Sequence, residues 1–401
     1  MDSLSKKVLL LGASGSIGSQ TLDIIDEAKD KFTLTAFSVG KNKARAIELL
    51  KKYDSVKHVY ISSEEDAKEI RELFPKIKVF SGPKGLAKLT KKSEYDMCVD
   101  ALVGFAGFEP AVIALKKDKV LCLANKEALV VGGQIINNLL LNGKGTLYPI
   151  DSEHVALAKC LSKCNFADVK NLIITASGGA LREVPIEDLE NIKAEEALKH
   201  PNWKMGNKIT IDCATMMNKG FEIIEAFYLY RFPLEQIKVQ MHDESLIHSA
   251  VELNDGTFLV DYGKPDMHNP IKWALYEGKV DFEVKKVKSL KEFKDCHFRE
   301  YDPNRYPCTE LAKKALEGGP AKLIALNAAN EVMVNKYLKG EIKFTDIAKN
   351  VEKFMEAMPV IPYISVSSAK VIDRLIRKEA EQCCTAKPPK GYRSLCFPSW
   401  R

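Results

Sequence analysis

The stretch VLLLGASGSIG, residues 8–18, decides the fold of the amino-terminal part of this chain. A short apolar run, typical of a buried strand, leads into a glycine-rich loop and then into a helix with apolar periodicity. Gly12 permits a tight turn, Gly15 lets the backbone approach a pyrophosphate, and Gly18 lets the helix pack closely on the sheet. Phosphates would lie at the helix amino terminus, where free amides and the helix dipole favour negative charge. The pattern predicts a Rossmann-type dinucleotide site, with an ordinary turn as the alternative.

Beyond this loop, short apolar runs alternate with amphipathic helical patterns as far as Pro149. A strand–helix–strand order at this rhythm indicates a parallel sheet that is covered by helices on both faces. We therefore predict a doubly wound Rossmann-type domain over residues 1–150. Its strands are expected at residues 8–11, 34–39, 58–61, 78–80, 97–101 and 120–124.

The residues at the end of the second predicted strand determine whether such a domain prefers NAD or NADP. An acidic residue there binds the ribose 2′-hydroxyl of NAD, whereas basic groups accommodate the 2′-phosphate of NADP. The chain reads VGKNK at residues 39–43, with Arg45 beyond, and has no carboxylate in that segment. This favours NADP(H), with a solvated basic turn as the alternative.

After Pro149 the pattern changes to alternating apolar runs, which are typical of a mixed or antiparallel sheet. Strands are expected at residues 172–175, 208–212, 237–241, 246–253 and 257–262, and a helix is expected to start near Met216. We predict a central α+β domain over 151–277, a linker over 278–307, a C-terminal helical bundle over 308–381 and a tail over 382–401.

Composition and charge restrict the kinds of partner. The chain has 401 residues and a formal net charge of +6, which does not indicate nucleic acid and fits an anionic small substrate. No apolar run reaches the ~18 residues that span a bilayer, and the apolar run at 8–11 is too short for a signal peptide. Ten cysteines without paired zinc spacing indicate reduced thiols. We expect a cytoplasmic protein, or an organellar one after loss of a presequence, with no nucleic-acid or membrane partner.

Two carboxylates follow the predicted nucleotide domain. Asp151 and Glu153 lie two residues apart, and in an extended segment such side chains face the same side. They could share one divalent cation, and hard oxygen ligands suit Mg²⁺ or Mn²⁺. A pair of surface carboxylates is the alternative.

A second polar group opens the helix near Met216. Asn218 and Lys219 lie four and three residues before Glu222, so the three side chains line one helix face. Lys219 and Asn218 near a helix amino terminus are suited to binding an anion, and Glu222 would be a third metal ligand. The alternative is an incidental ion pair in a first helical turn.

A third element is TASGG, residues 175–179, where a hydroxyl and two glycines after a strand expose backbone amides that suit a phosphate. A plain turn is the alternative. His200 lies in a polar loop beside Pro201, where a solvated histidine is the alternative to a ligand contact.

Taken together, these segments resemble the 1-deoxy-D-xylulose 5-phosphate reductoisomerase family. The resemblance extends to about residue 381, and the motifs occur in the family's order. They read GASGSIG, LANKEAL, PIDSEH, TASGG, HPNWKMG, ATMMNKGFE, GKPDM, RYPC and LNAANE. The resemblance implies an enzyme that isomerises a phosphorylated ketose and reduces the product with NADPH, giving 2-C-methyl-D-erythritol 4-phosphate for non-mevalonate isoprenoid synthesis. It also implies a need for Mg²⁺, Mn²⁺ or Co²⁺ and a homodimer, with residues 151–277 as the catalytic, metal- and substrate-binding and dimerisation domain.

The resemblance also assigns site residues by motif. The metal ligands would be Asp151, Glu153 and Glu222, which together with Lys126 form the catalytic set. The substrate would be bound by Lys126, Ser152, Glu153, Ser177, Gly178, His200, Trp203, Cys213, Asn218, Lys219 and Glu222. NADPH would be bound by Gly12, Ser14, Gly15, Ser16, Ile17, Gly40, Lys41, Asn42, Asn125, Glu127, Met205 and Gly206. The loop 197–207, around Trp203 and Met205, resembles the family's lid.

Two departures from the family pattern stand out. Cys213 replaces the serine whose hydroxyl contributes to phosphate binding, and a thiol is a weaker donor. We therefore expect weaker substrate binding with the chemistry retained. Residues 241–245 read MHDES where the family has an H-P-Q-S segment.

Two other functions compete with this interpretation. One is a different NADP-dependent dehydrogenase, of the homoserine or aspartate-semialdehyde type, which lacks an Asp-x-Glu pair coupled to a distant Asn-Lys-x-x-Glu helix. The other is an inactive NADP-binding sensor, which has no need of three carboxylates.

Overall fold

The computed structural model describes residues 5–203 and 205–383. The predicted tail lies outside the described residues from position 384 onward, as does Lys204 in the predicted lid. Contacts divide the chain into two compact units. The first unit comprises residues up to Ala128 together with Ile135–Val155 and Asp266–Phe282, and the second comprises Leu129–Gln134, Ala156–Pro265 and the chain from Glu283 onward. The domain boundaries predicted at residues 150, 277, 307 and 381 stay predictions.

The first unit contains a seven-stranded parallel sheet with the order β4-β3-β2-β1-β5-β6-β7. The strands are β1 (Lys6–Leu11), β2 (Phe32–Ser38), β3 (His58–Tyr60), β4 (Lys78–Phe80), β5 (Met97–Asp100), β6 (Val120–Leu123) and β7 (Thr146–Pro149). The strand order reverses between β1 and β5, and ligands of such sheets bind at this reversal. The predicted doubly wound Rossmann-type sheet is confirmed.

Helices follow the strands of this sheet in the predicted alternation. They are α1 (Ser16–Glu27), α2 (Lys43–Lys52), α3 (Glu64–Leu73), α4 (Gly85–Lys92), α5 (Phe108–Lys116), α6 (Lys126–Leu141) and α7 (Ser152–Leu161). Side chains fix several helix starts: the side chain of Asn42 accepts from the Arg45 amide, and that of Asn125 accepts from the Ala128 amide. Such caps satisfy amides that the helix itself leaves without partners.

The second unit contains a six-stranded sheet with the order β12-β11-β10-β8-β9-β13. The strands are β8 (Val169–Ala176), β9 (Ile237–His242), β10 (Ile247–Leu253), β11 (Phe258–Tyr262), β12 (Lys285–Val287) and β13 (Phe298–Arg299). Strands β8 and β9 are parallel and the other neighbours are antiparallel, so the predicted mixed sheet is confirmed. The two edge strands lie inside the segment predicted as a linker. Both edge strands are short and carry charged side chains, as edge strands commonly do. Because of this, their sequences lack the alternating apolar pattern that predicts a strand.

The second unit also contains α-helices. They are α8 (Ala194–Ala197), α9 (Asn207–Ala214), α10 (Met217–Tyr230), α12 (Pro307–Gly318), α13 (Pro320–Leu338), α14 (Asp346–Glu356) and α15 (Val366–Gln382), while α11 (His268–Leu275) belongs to the first unit. The predicted C-terminal helical region is confirmed. The strand predicted over residues 208–212 is wrong, because these residues lie in α9. Lys208 Nζ lies 2.6 Å from Asp212 Oδ2, an ion pair at helical spacing.

Helix α11 is the part of the first unit that comes from farthest along the chain. It packs on α1, and its residues Ile271, Trp273 and Leu275 are buried. The thiol of Cys122 on β6 donates to the carbonyl of Ala274 at 3.4 Å. Lys6 on β1 pairs with Glu277 just beyond the helix. The parallel sheet is therefore covered in part by α11, which comes after strands β8 to β11 of the second sheet in the sequence.

Within the described residues the cysteines are free thiols. Each helix within the described ranges is too short or too polar to cross a lipid bilayer.

Candidate active site

The glycine loop between β1 and α1 has the geometry that its sequence predicts. Gly12 has a φ of +86°, and a Cβ there would lie 2.5 Å from the Ala101 carbonyl oxygen. A Cβ on Gly18 would lie 2.1 Å from the Gly12 oxygen, so both positions require glycine. At Gly15 the nearest atom to such a Cβ is 3.4 Å away, and no side chain caps α1. The exposed residues at the start of α1 are Ser14, Gly15 and Ser16, followed by the half-buried Ile17.

Residues after β2 and β6 leave the same edge of the sheet, because the strands are parallel. Gly40 and Lys41 are exposed, while the side chain of Asn42 caps α2. Of the other basic groups in this segment, Lys43 lies 2.7 Å from Glu69 and Arg45 lies 2.5 Å from Glu48. Lys41 is therefore the exposed cation at the predicted position of a 2′-phosphate.

Asn125 fixes the loop that follows β5. Its Nδ2 donates to the carbonyl oxygens of Leu102 and Gly104, both at 2.9 Å, and lies 3.3 Å from Glu127 Oε2. The side chains of Asn125 and Glu127 are buried. Asp100, at the end of β5, is fully buried, and burial raises its pKa to about 8. In the sequence, nothing except its position at the end of a strand distinguishes Asp100 from other aspartates.

Lys126 and Asp151 form a buried ion pair in the first unit. Lys126 begins α6, and its Nζ lies 3.0 Å from Asp151 Oδ2, with about a tenth of each side chain exposed (10% and 11%). The Glu153 amide donates to Asp151 Oδ1 at 3.2 Å, and the Ser152 hydroxyl donates to Glu153 Oε2 at 2.6 Å. The predicted extended geometry of residues 151–153 is wrong, because helix α7 begins at Ser152. Asp151 accepts a hydrogen bond from an amide of the first helical turn, as a capping residue does.

Asn218, Lys219 and Glu222 form a buried cluster at the start of α10. Asn218 Nδ2 donates to Glu222 Oε1 at 2.5 Å, and Lys219 Nζ donates to Glu222 Oε2. All three side chains are buried, so this is not an incidental surface ion pair. Met216, just before the helix, has a left-handed backbone with φ of 60°. Met216 therefore forms a sharp turn between α9, which carries Cys213, and the start of α10, which carries Asn218 and Lys219.

The TASGG loop packs against this same turn. Gly178 and Gly179 follow β8 with φ values of +78° and +69°. A Cβ on Gly179 would lie 2.7 Å from the Ala214 nitrogen and the Cys213 oxygen. The backbone after Ser177 therefore lies in contact with the segment that carries Cys213, as a shared anion pocket requires.

His200 is a half-buried and oriented side chain. Its Nδ1 accepts from the amides of Asn202 at 3.2 Å and Trp203 at 3.0 Å, so the ring proton lies on Nε2. Nε2 is 3.4 Å from the Ser177 hydroxyl. Burial, with a smaller effect of Arg182, lowers the pKa of His200, which favours the neutral ring. The alternative of a solvated histidine is not supported.

The predicted lid is tied to the segment that departs from the family pattern. Asn202 Nδ2 donates to the Asp243 carbonyl at 2.7 Å and to the Ser245 hydroxyl at 2.9 Å. Asp243 Oδ2 also lies 2.5 Å from Arg299 Nη2 at the edge strand β13. No sequence pattern indicates a role for Asn202 or Asp243. Trp203 and Met205 are half-buried, and Gly206 is the exposed cap of α9.

Comparisons with known proteins agree with this arrangement. The family model described as 1-deoxy-D-xylulose 5-phosphate reductoisomerase matches residues 8–133, and models of the C-terminal domains of that enzyme match residues 147–230 and 262–380. The 1-deoxy-D-xylulose 5-phosphate reductoisomerase of Geobacillus sp. (strain WCH70) is 40% identical over 375 residues, covering 93% of this chain and 98% of the relative. That of Prosthecochloris aestuarii is 40% identical over 380 residues, covering 94% and 98%.

Solved structures give the same result. A DOX-P reductoisomerase crystal structure in complex with NADPH, fosmidomycin and magnesium superposes with a TM-score of 0.85 at 32% identity, covering 94% of this chain and 98% of that one. The Zymomonas mobilis 1-deoxy-D-xylulose 5-phosphate reductoisomerase in complex with NADPH superposes with a TM-score of 0.84 at 33% identity, covering 96% and 100%. The predicted family resemblance is confirmed, and this chain belongs to the 1-deoxy-D-xylulose 5-phosphate reductoisomerase family.

Proposed function

We propose that this chain rearranges 1-deoxy-D-xylulose 5-phosphate and reduces the product with NADPH, giving 2-C-methyl-D-erythritol 4-phosphate for non-mevalonate isoprenoid synthesis. The observation that carries the proposal is membership of the family over nearly the whole chain, at 40% identity across 93% of its length. Membership also argues against a homoserine or aspartate-semialdehyde dehydrogenase.

NADPH is proposed to bind along the carboxyl edge of the parallel sheet. The uncapped start of α1 and the exposed backbone at Gly15 suit a pyrophosphate, because free amides and the helix dipole attract it. Lys41 suits the 2′-phosphate. The full proposed set keeps the residues assigned by motif, which are Gly12, Ser14, Gly15, Ser16, Ile17, Gly40, Lys41, Asn42, Asn125, Glu127, Met205 and Gly206.

A divalent cation is proposed to be held by Asp151, Glu153 and Glu222. Carboxylate oxygens are the donors that Mg²⁺ and Mn²⁺ prefer, so the residue types fit. Asp151 is paired with Lys126 and Glu222 with Lys219, so two of the three carboxylates already attract a cation within their own unit. Glu222 is proposed as the third ligand of the same cation.

The substrate phosphate is proposed to bind where the TASGG loop meets the start of α10. Asn218 and Lys219 supply an amide and an ammonium, Ser177 and Gly178 supply a hydroxyl and backbone amides, and Cys213 supplies a thiol. His200 donates from Nε2 toward the same region. An anchored phosphate keeps the fragments together while the carbon skeleton rearranges.

When bound, the cation polarises the substrate carbonyl and NADPH supplies the hydride. The chain's own groups handle protons and water. Lys126 Nζ and the Glu153 carboxylate are proposed to move protons at the substrate oxygens, and Ser152 orients Glu153 through its 2.6 Å hydrogen bond. The lid around Trp203 excludes water from the aldehyde that awaits reduction.

Oxidation of NADPH with 1-deoxy-D-xylulose 5-phosphate, measured at 340 nm with and without Mn²⁺, tests the proposal. We expect turnover only with the metal, and its loss by at least ~100-fold in Glu222→Gln, as for removal of a group that stabilises developing charge. The control Glu252→Gln removes a carboxylate from β10 that pairs with Lys170, and should leave turnover unchanged. NADPH binding without metal-dependent turnover would instead identify an inactive sensor.

We also infer a homodimer, as the family resemblance implies, and a cytoplasmic location, in keeping with the bacterial origin of the matched relatives. Sedimentation equilibrium of the full chain tests the first inference: a monomer at micromolar concentration would contradict it.

A further inference from the structure

The turn that joins α9 to α10 is held in place by the C-terminal helices. This phosphate turn, residues 213–219, carries Cys213, Asn218 and Lys219, three of the residues proposed above to bind the substrate phosphate. At its centre Met216 has a left-handed backbone with φ of 60° and ψ of 15°. A residue with a Cβ adopts this conformation only when surrounding contacts impose it.

Two side chains from the C-terminal helices supply such contacts. Thr309 on α12 donates its hydroxyl to the Met216 carbonyl at 3.0 Å in a fully buried setting. Asn330 on α13 donates its Nδ2 to Asp212 Oδ1 at 2.9 Å, and Asp212 immediately precedes the phosphate turn. Both donors are fully buried, with 0% of their surface exposed, so water cannot replace them.

A close backbone approach supports the same contact. Gly220 follows Lys219, and a Cβ at Gly220 would lie 2.7 Å from the Ala312 side chain and 3.3 Å from the Cys308 oxygen. Helix α10 therefore starts in direct contact with α12. The C-terminal helices therefore contact the chain immediately before the phosphate turn, at its centre and immediately after it.

We propose that Thr309 and Asn330 are positioning residues for phosphate binding, acting through the phosphate turn without touching the substrate. Their hydrogen bonds impose the left-handed backbone at Met216, and this backbone directs Asn218 and Lys219 to the phosphate. The C-terminal helical region then has a role in substrate affinity as well as in stability. The inference rests on the proposed function, since it presumes that this turn binds the phosphate.

Paired variants of the full-length enzyme test the proposal. Thr309→Val keeps the shape and removes the hydroxyl donor, whereas Thr309→Ser keeps the donor. Asn330→Ala removes the donor to Asp212, and Asn327→Ala is its control, since Asn327 is equally buried on the same helix and donates to Glu331 within α13. The readouts are the KM for substrate, kcat, the KM for NADPH, and the inhibition constant of inorganic phosphate as a competitor of the substrate.

We expect Thr309→Val and Asn330→Ala to raise the substrate KM and the phosphate inhibition constant by about tenfold, with kcat within about threefold and the KM for NADPH unchanged. Thr309→Ser and Asn327→Ala should leave all four constants near those of the unaltered enzyme. Equal effects of Thr309→Ser and Thr309→Val, or of Asn327→Ala and Asn330→Ala, would overturn the proposal, because general destabilisation would then be the cause.

Lys219→Ala separates this inference from the proposed function. If Lys219→Ala leaves phosphate inhibition unchanged, the proposed phosphate pocket is wrong, and the positioning role is wrong with it. If Lys219→Ala weakens phosphate inhibition while Thr309→Val and Asn330→Ala do not, the pocket stands and the positioning role alone is refuted.

Discussion

Replacing Asp100 with asparagine is expected to stabilise the first unit at neutral pH. Burial raises the pKa of this fully buried carboxyl to about 8; the Leu102 amide opposes the rise, and nearby Glu127 adds to it. Oδ1 accepts from the Leu102 amide at 3.2 Å, so the proton of the neutral form lies on Oδ2. An asparagine amide has the same shape and presents its hydrogens at that position, without a charge to bury.

The size of the effect follows from proton linkage. The same carboxyl has a pKa of about 3.9 in an unfolded chain. Between that value and about 8, Asp100 binds more protons in the folded state than in the unfolded state. Its contribution to the free energy of unfolding is therefore fully present below the lower pKa and is lost as pH rises toward the upper one. At ~1.4 kcal/mol per pH unit, Asp100 costs roughly 4 kcal/mol at pH 7. Asparagine carries no such cost.

Denaturant unfolding of both proteins from pH 5 to pH 8 measures this cost, with fluorescence of Trp273, a tryptophan of the first unit, as the probe. The advantage of Asp100→Asn should grow by roughly 2–3 kcal/mol between pH 5 and pH 7. Asp54→Asn, at an exposed position of the same unit, should show no growing difference. A stability difference for Asp100→Asn that stays constant with pH would refute the reasoning, because Asp100 would then be ionised in the folded protein.

Three further perturbations bear on the site. Cys213→Ser restores a stronger hydroxyl donor and should lower the substrate KM with kcat little changed; a KM that stays the same or rises would contradict this. Gly179→Ala places a Cβ 2.7 Å from the Ala214 nitrogen at a φ of +69°, and should raise the KM at least ~10-fold. Its control, Gly256→Ala, has a φ of +78° with open space around it and should leave the KM unchanged; equal effects would mean that strain alone matters. Chelation by EDTA should abolish turnover but leave NADPH binding, measured by fluorescence, intact; turnover that survives chelation would contradict the metal assignment.

Local patterns were sufficient to predict the parallel sheet and the glycine loop. Backbone contacts at the glycine loop require glycine at Gly12 and Gly18, so the local motif is sufficient to predict the geometry of the loop. The contacts of Glu222 with Asn218 and Lys219 were predictable for the same reason, since residues three and four apart meet on any helix.

Features that depend on tertiary packing were not predictable. Ile209 and Ile211 alternate with polar residues as in a strand, yet the segment is helical, and Thr210 and Asp212 are buried with Ile211. The charged strand β13 pairs with β9 from 56 positions away or more, which no local pattern reveals. Likewise, 93 residues separate Thr309 from Met216, and nothing in either segment indicates the hydrogen bond between them.

The position of α11 in the chain has a consequence for biosynthesis. A ribosome releases all seven strands of the parallel sheet by Pro149, but Ile271, Trp273 and Leu275, which α11 buries within this unit, emerge more than a hundred residues later. At ~5–20 residues per second, the delay is about ten seconds. During that interval the nascent nucleotide-binding unit exposes the apolar surface on which α11 later packs. A fragment that ends at Pro149 should therefore depend on chaperones in a way that a fragment lacking only the C-terminal helices does not.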